Sequence, residues 1–282
     1  MASTSKVSET VCPNCKTDEY VFWGEERGFS TVRCSECRLL YVNPRPNPEL
    51  IHEAVKTGAH SAEADGLVVT ARHAPGKVEF YRRHLGAIFQ DVWRAGKPVS
   101  WVDVGAGYGE VIEAVSSIAP AGSYVEGLEP MRPKANAARA RGLNIVEDYL
   151  QPNHPKADII SVVNVFSHIP EFDEFLSLVR SVLKPNGQLF IETGNLADME
   201  RRSDFPGELG LPDHLVFAGE PQLRQFLDRG GFDVVKIRKV KTDGFIPFIK
   251  NVVKRLIGRP VVLRMPYTSA YRSLLIRAQL RQ

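Results

Sequence analysis

The sequence predicts an α/β protein, a doubly wound and mostly parallel sheet preceded by a small N-terminal module. Three observations predict it. Short apolar runs alternate with helix-period segments across residues 98–241. Strands separated by helices run parallel, with helices on both faces. The run VSWVDVGAG (99–107) ends in glycines and leads directly into a helix pattern, the junction at which such sheets bind ligands. All four cysteines lie in the first 46 residues.

The 282 residues include 36 Lys+Arg, 33 Asp+Glu and 7 His, for a net charge of +3, with 43% hydrophobic and 24% charged residues. This globular balance excludes a disordered chain. There is no run of about 18 apolar residues, and MASTSKVSET lacks the apolar core of a signal peptide, so the expected location is cytoplasmic. The length suits one large domain and something small.

Taken in order, residues 1–46 form the cysteine module and end at the stiff stretch NPRPNP (43–48). Residues 47–97 read as a helical linker or lid. TGAHSAEADG (57–66) is a polar loop, and 77–94 carries Val78, Tyr81, Leu85, Ile88, Phe89 and Val92 at helical spacing. Residues 98–282 form the main domain. Its predicted strands are 99–107, an apolar run ending in glycines, 123–130, 143–148, 157–165, 188–195 and 232–240, and its predicted helices are 109–119, 174–183 and 221–231. YRSLLIRAQLR (271–281) alternates apolar and polar residues and predicts a last strand, leaving 242–270 as an insertion before it.

Cys12, Cys15, Cys34 and Cys37 form two CxxC pairs separated by 18 residues. That spacing fits a four-cysteine zinc ribbon, because each tight knuckle aims two thiolates at one point. A closed four-sulfur shell leaves no open position, so the zinc is expected to be structural. The segment is too small to build its own core, so metal is expected to supply its stability. Its basic residues Lys16, Arg27, Arg33 and Arg38 are balanced by Asp18, Glu19, Glu25, Glu26 and Glu36. No basic stripe emerges, and nucleic acid is not the expected partner.

WVDVGAGYGE (101–110) offers Gly105, Gly107 and Gly109 but places Glu110 where a dinucleotide fingerprint needs glycine. Asp103 sits two residues before the first glycine. A carboxylate there suits a cofactor bearing an ammonium group, such as S-adenosylmethionine, better than a pyrophosphate. Glycines let backbone and cofactor approach closely. Glu129 ends the next strand, where an acid accepts ribose hydroxyls. Asp148 and Tyr149 end the third strand, beside the expected adenine. Asn164 to His168 follow the fourth.

On these motifs, residues 98–241 resemble a class I S-adenosylmethionine-dependent methyltransferase. The whole chain is similar to a bacterial subfamily in which a zinc ribbon precedes that domain. The similarity rests on CPNC, CSECRLLYVNPRP, VDVGAGYGE, VEGLEP, FSHIPEFDEFL, LKPNGQLFIET, DHLVF and GGFDVV. It implies a Rossmann-like seven-stranded sheet, and cofactor contacts at Asp103, Gly105, Gly107, Gly109, Glu129, Asp148 and Asn164. It also implies a sugar or another small molecule as acceptor. Many relatives carry acids where this chain has Asn164 and Ser167, so no catalytic metal is expected.

Methyl transfer from a sulfonium is an in-line displacement that needs alignment and exclusion of water. A hydroxyl acceptor also needs a base, which histidine suits near neutral pH. His214, in LPDHLVF beside Asp213, is the first candidate, and His168, after the fourth strand, is the second. His60 and His73 precede the domain and are candidates for substrate contact. Glu192 and Asn195 are candidates for acceptor binding. Residues 244–282 carry eight basic residues and no acid, leaving the rest at −5. GFIPFIKNVVKRLIG (244–258) reads as a basic amphipathic helix, open to packing, substrate phosphate or peripheral contact with the inner membrane face. The reading is therefore O-methylation of a sugar hydroxyl, nucleotide-activated or in a glycan. The alternatives are an RNA methyltransferase docking through its ribbon, and a C- or N-methyltransferase of another small molecule.

Overall fold

The computed structural model describes residues 7–57, 59–60, 67–68, 72–205, 207–241, 245–258 and 269–282. Its centre is a seven-stranded sheet: β1 Ser100–Val104, β2 Tyr124–Leu128, β3 Ile145–Val146, β4 Ala157–Val163, β5 Leu183–Gly194, β6 Phe232–Lys241 and β7 Arg272–Leu280. The order across the sheet is β3-β2-β1-β4-β5-β7-β6. The first five strands are parallel and β7 is antiparallel to both its neighbours. The chain leaves β1 to one side and returns on the other, so the strand order reverses between β1 and β4, where a crevice opens.

The pleat sorts each strand between two cores. Trp101, Ile159, Phe190 and Leu275 face one side and meet Tyr81, Leu85, Ile88 and Phe89 of the helical segment Pro75–Ile88. Their neighbours Val102, Ile160, Ile191 and Leu274 face the other. There they join Phe172, Leu176 and Val179 of helix Phe172–Val182 and Leu223 and Phe226 of helix Glu220–Arg229. Successive side chains point to opposite faces, so one apolar run fills both layers.

Helix Pro75–Ile88 belongs to this body rather than to a linker. It packs under β1 and on helix Glu110–Ser116, which moves the start of the domain from 98 to about 75. The expected loop 57–66 contains Ala59–His60, paired antiparallel with Leu67–Val68; residues 58 and 61–66 lie outside the described set. A helix that apolar spacing does not reveal, Arg132–Arg139, packs through Ala135 and Ala138. Within the expected insertion, Phe245–Leu256 is helical, while 242–244 and 259–268 lie outside the described residues.

The ribbon is not a separate module. Its strands Tyr20–Glu26, Phe29–Cys34 and Leu40–Val42 form a sheet whose fourth strand, Val216–Phe217, comes from the main domain. Val216 pairs with Tyr41 and Phe217 with Leu40. Trp23, Phe29, Leu39 and Leu40 share one apolar cluster with Phe166, Leu215 and Phe226. The boundary expected at 46 is therefore crossed by both a sheet and a core.

Candidate active site

A cavity of about 570 Å³ lies over the carboxyl ends of β1, β2 and β4. Asp103, Gly105, Gly107, Glu129, Asp148, Tyr149, Asn164, His168 and His214, all expected from the sequence, line it. Gly109 does not. It starts helix Glu110–Ser116 at φ 84°, and a Cβ there would lie 2.5 Å from Leu143 Cδ1.

The glycine loop turns sharply because Gly105 N and Ala106 N both donate to Leu128 O, at 2.8 and 2.9 Å. Gly105 sits at φ 72°, and a Cβ would meet Val165 Cγ2 at 2.4 Å, so that position is filled by protein. Gly107, at φ 57°, has nothing within 4 Å of its missing Cβ. It is the open face of the loop.

Asp103 is 1% exposed. It accepts the hydroxyl hydrogen of Ser161, whose oxygen accepts Trp101 Nε1–H at 2.8 Å. Burial pushes the Asp103 carboxyl up to about 7, the nearby Glu129 and Glu110 push the same way, and the serine donor opposes them. Glu129 accepts Gly107 N–H at 2.7 Å and Met131 N–H at 2.9 Å, one on each oxygen. Each oxygen keeps a second lone pair for further donors. Asp148 accepts Tyr149 N–H at 2.7 Å. Tyr149 stacks on His52 at 5.4 Å, and its buried hydroxyl has no hydrogen-bond partner among the described residues. Asn164 adopts φ 56° and donates its N–H to Glu192 O at 2.9 Å.

The two histidines meet edge to face, 4.8 Å between ring centroids. His214 Nδ1 lies 2.7 Å from Leu209 O. A carbonyl only accepts, so Nδ1 carries the proton and Nε2 is left as a base. The same logic applies at His168, whose Nδ1 is 2.8 Å from Asp213 O and 3.2 Å from Asp213 Oδ1. Asp213 thus pairs with His168, and its carboxylate also lies within 4.8 Å of a His214 ring nitrogen. Burial, then the neighbouring His168, holds His214 below the usual histidine range.

Other candidates fall elsewhere. His73 is tied to Glu113 at 3.1 Å, and the side chain of His60 lies outside the described residues. Asn195 accepts Arg272 N–H and donates to Asp198. Glu192 accepts Ser273 Oγ–H at 2.7 Å and does not line the cavity. Tyr81, Lys77 and Glu110 line the cavity without having been flagged. Tyr81 lies on the core stripe of its helix, and nothing in that spacing separates a core ring from a cavity wall.

Away from the cavity, the four cysteine sulfurs lie within 4.8 Å of one another. Cys12 and Cys37 approach to 3.5 Å and Cys15 and Cys34 to 3.4 Å, with no disulfide. Lys16 and Arg38, each following its second cysteine, share φ 64°, so the two knuckles turn alike. Metal–sulfur bonds of about 2.3 Å give a tetrahedron with edges of about 3.8 Å, a size these sulfurs match.

Residues 75–237 match a protein-family profile described as a methyltransferase domain, which is more than half of the chain. The chain belongs to that family. It is 29% identical over 135 residues to the ubiquinone biosynthesis O-methyltransferase of Actinobacillus pleuropneumoniae serotype 5b (strain L20), covering 43% of this chain and 53% of that protein. It is 24% identical over 132 residues to the C-methyltransferase NovU of Streptomyces niveus, covering 44% and 31%. The chain thus spans about half the length of the first relative and about a third of the second. Magnesium protoporphyrin IX methyltransferase (ChlM) from Synechocystis PCC 6803, solved with bound SAM, is similar with TM-score 0.46 and 13% identity, covering 75% of this chain and 86% of that one.

Proposed function

We propose that the protein methylates a hydroxyl of a sugar, nucleotide-activated or in a glycan, with His214 as base. The observation that carries this reading is the His214 ring. Its Nδ1 proton is committed to Leu209 O, which leaves Nε2 to take the hydroxyl proton as the new C–O bond forms. When bound, S-adenosylmethionine supplies the methyl group and departs as S-adenosylhomocysteine. Asp103 would receive the cofactor ammonium, Gly107 its close approach, Glu129 the ribose hydroxyls, and Asp148, Tyr149 and Asn164 the adenosine surroundings. A carboxyl raised first by burial and then by neighbouring acids, and a buried hydroxyl with no hydrogen-bond partner among the described residues, fit such a ligand. His168, oriented by Asp213, would hold the acceptor. The sugar itself rests on the sequence resemblance. The relative named as a C-methyltransferase supports a second reading, in which the same base removes a proton from an acidic carbon.

The four free thiols fit a structural zinc, and nucleic acid does not fit the ribbon. Lys16 pairs with Glu171, Arg27 with Glu208, Arg38 with Glu200, and Arg33 donates to Ala197 O and Met199 O. Its cations are turned onto its own domain.

Calorimetry on zinc-loaded protein tests the cofactor, with S-adenosylmethionine and S-adenosylhomocysteine expected to bind and NAD not to bind. Turnover with sugar acceptors tests the base. An unchanged kcat in His214→Ala at saturating substrate would remove that assignment, and the position of the methyl in the product separates oxygen from carbon acceptors.

A further inference from the structure

Glu26 lies in the ribbon strand Tyr20–Glu26, 188 residues from His214. Its carboxylate accepts three consecutive backbone N–H groups. Leu209 N donates to Oε2 at 2.7 Å, and Gly210 N and Leu211 N donate to Oε1 at 2.8 and 3.2 Å. The middle donor matters most. Gly210 N–H and Leu209 C=O belong to one planar peptide unit. Glu26 takes the hydrogen at one end of that unit, and His214 Nδ1–H donates to the oxygen at the other. The next unit repeats the arrangement: Leu211 N–H meets Glu26, and Gly210 O accepts the N–H groups of Asp213 and His214. Gly210 stands at φ 77°, and a Cβ there would lie 3.2 Å from His214 Nδ1, so the loop lies directly against the ring.

We propose that Glu26 is a positioning residue for His214, acting through the Leu209–Gly210 peptide. A carboxylate at the N–H end polarises the unit and strengthens the carbonyl at the other. This holds the proton on Nδ1, keeps Nε2 as the base, and stabilises the imidazolium formed when the acceptor proton is taken. It is the task that an orienting acid performs by direct contact in a catalytic triad, carried here across one peptide bond and supplied by the ribbon. The charged and titratable groups facing this system are His168 against the His214 ring, Asp213 beside it, Arg27 and Arg202 on Glu26, and Glu208 on Arg27.

The inference rests on His214 as base, but its test does not need the acceptor. Nitrogen-15 histidine NMR of the zinc-loaded full chain, with His214→Asn to assign the ring, reads tautomer and titration directly. The wild type is expected in the Nδ1–H tautomer. Glu26→Gln is expected to weaken that preference and lower the His214 pKa by about half a pH unit or more, because a negative charge has been removed. Glu26→Asp, which keeps the charge, should recover most of the shift. In turnover, Glu26→Gln should lower kcat about tenfold with KM little changed and move the acidic limb of the pH profile the same way. An Nε2–H tautomer in the wild type overturns the proposal without any variant, which covers the case of a misfolded Glu26→Gln. An unchanged ring in folded Glu26→Gln also overturns it. If the ring shifts while His214→Ala leaves turnover intact, the base assignment falls and the positioning contact stands.

Discussion

Asp103 is the residue at which the cavity's chemistry is most exposed to test. Burial with two acids nearby raises its carboxyl to about 7 in the free protein. Below that pH it is protonated, and an ammonium ligand must displace the proton. Above it, the carboxylate is ready. Cofactor affinity is therefore expected to weaken as pH falls from 8 to 6, approaching about tenfold per pH unit below the transition. Calorimetry across that range measures it, and Asp103→Asn should flatten the dependence. His214 shifts in the opposite sense, held below the usual histidine range, so the acidic limb of turnover belongs below about 6.5. At this scale much of the cavity was legible. Asp103, Gly107, Glu129 and Asp148 all reach it, because the acid before the glycines and the acids ending successive strands must gather at the carboxyl edge of a parallel sheet. Gly109 did not, since spacing alone cannot separate a glycine kept for packing from one kept for a ligand. Asp213 pairs with His168 while lying only near His214, because adjacent side chains seldom point the same way.

Among elements, helix Phe245–Leu256 and the turn after it present Ile249, Val253, Leu256 and Ile257 to solvent, with Leu256 81% exposed. Lys250 and Arg255 are exposed alongside them. The sequence left packing, phosphate and membrane open for this segment. No helix among the described residues is long and apolar enough to cross a membrane. A peripheral membrane role for this segment predicts binding to vesicles containing anionic lipid that falls with salt and with Leu256→Glu; equal binding to neutral vesicles would contradict that role. Three of the eight basic residues in 244–282 belong to the expected last strand. Arg272, Arg277 and Arg281 lie on or beside β7, and Arg277 is buried over Phe89 and paired with Asp91. Charge along a sequence does not report which cations a strand will bury.

At the scale of the molecule, ribbon and sheet share the strand Val216–Phe217 and one apolar core, an arrangement that predicts they unfold together. A structural zinc at the four cysteines predicts that a chelator, or Cys34→Ser, lowers Tm in a single transition and weakens turnover with it. Calorimetric scanning checks this; a separate ribbon transition with intact activity would sink it. The sheet, the glycine loop and the cysteine pairs were determined by the sequence itself, because period, spacing and turn chemistry are local and repeat along the chain. The place of helix Pro75–Ile88 in the core, the pairing of Asp213 with His168 and the reach of Glu26 to the His214 loop were decided only by the tertiary structure. Each joins residues brought together by packing, and no local pattern encodes which distant peptide will lie against a given carboxylate.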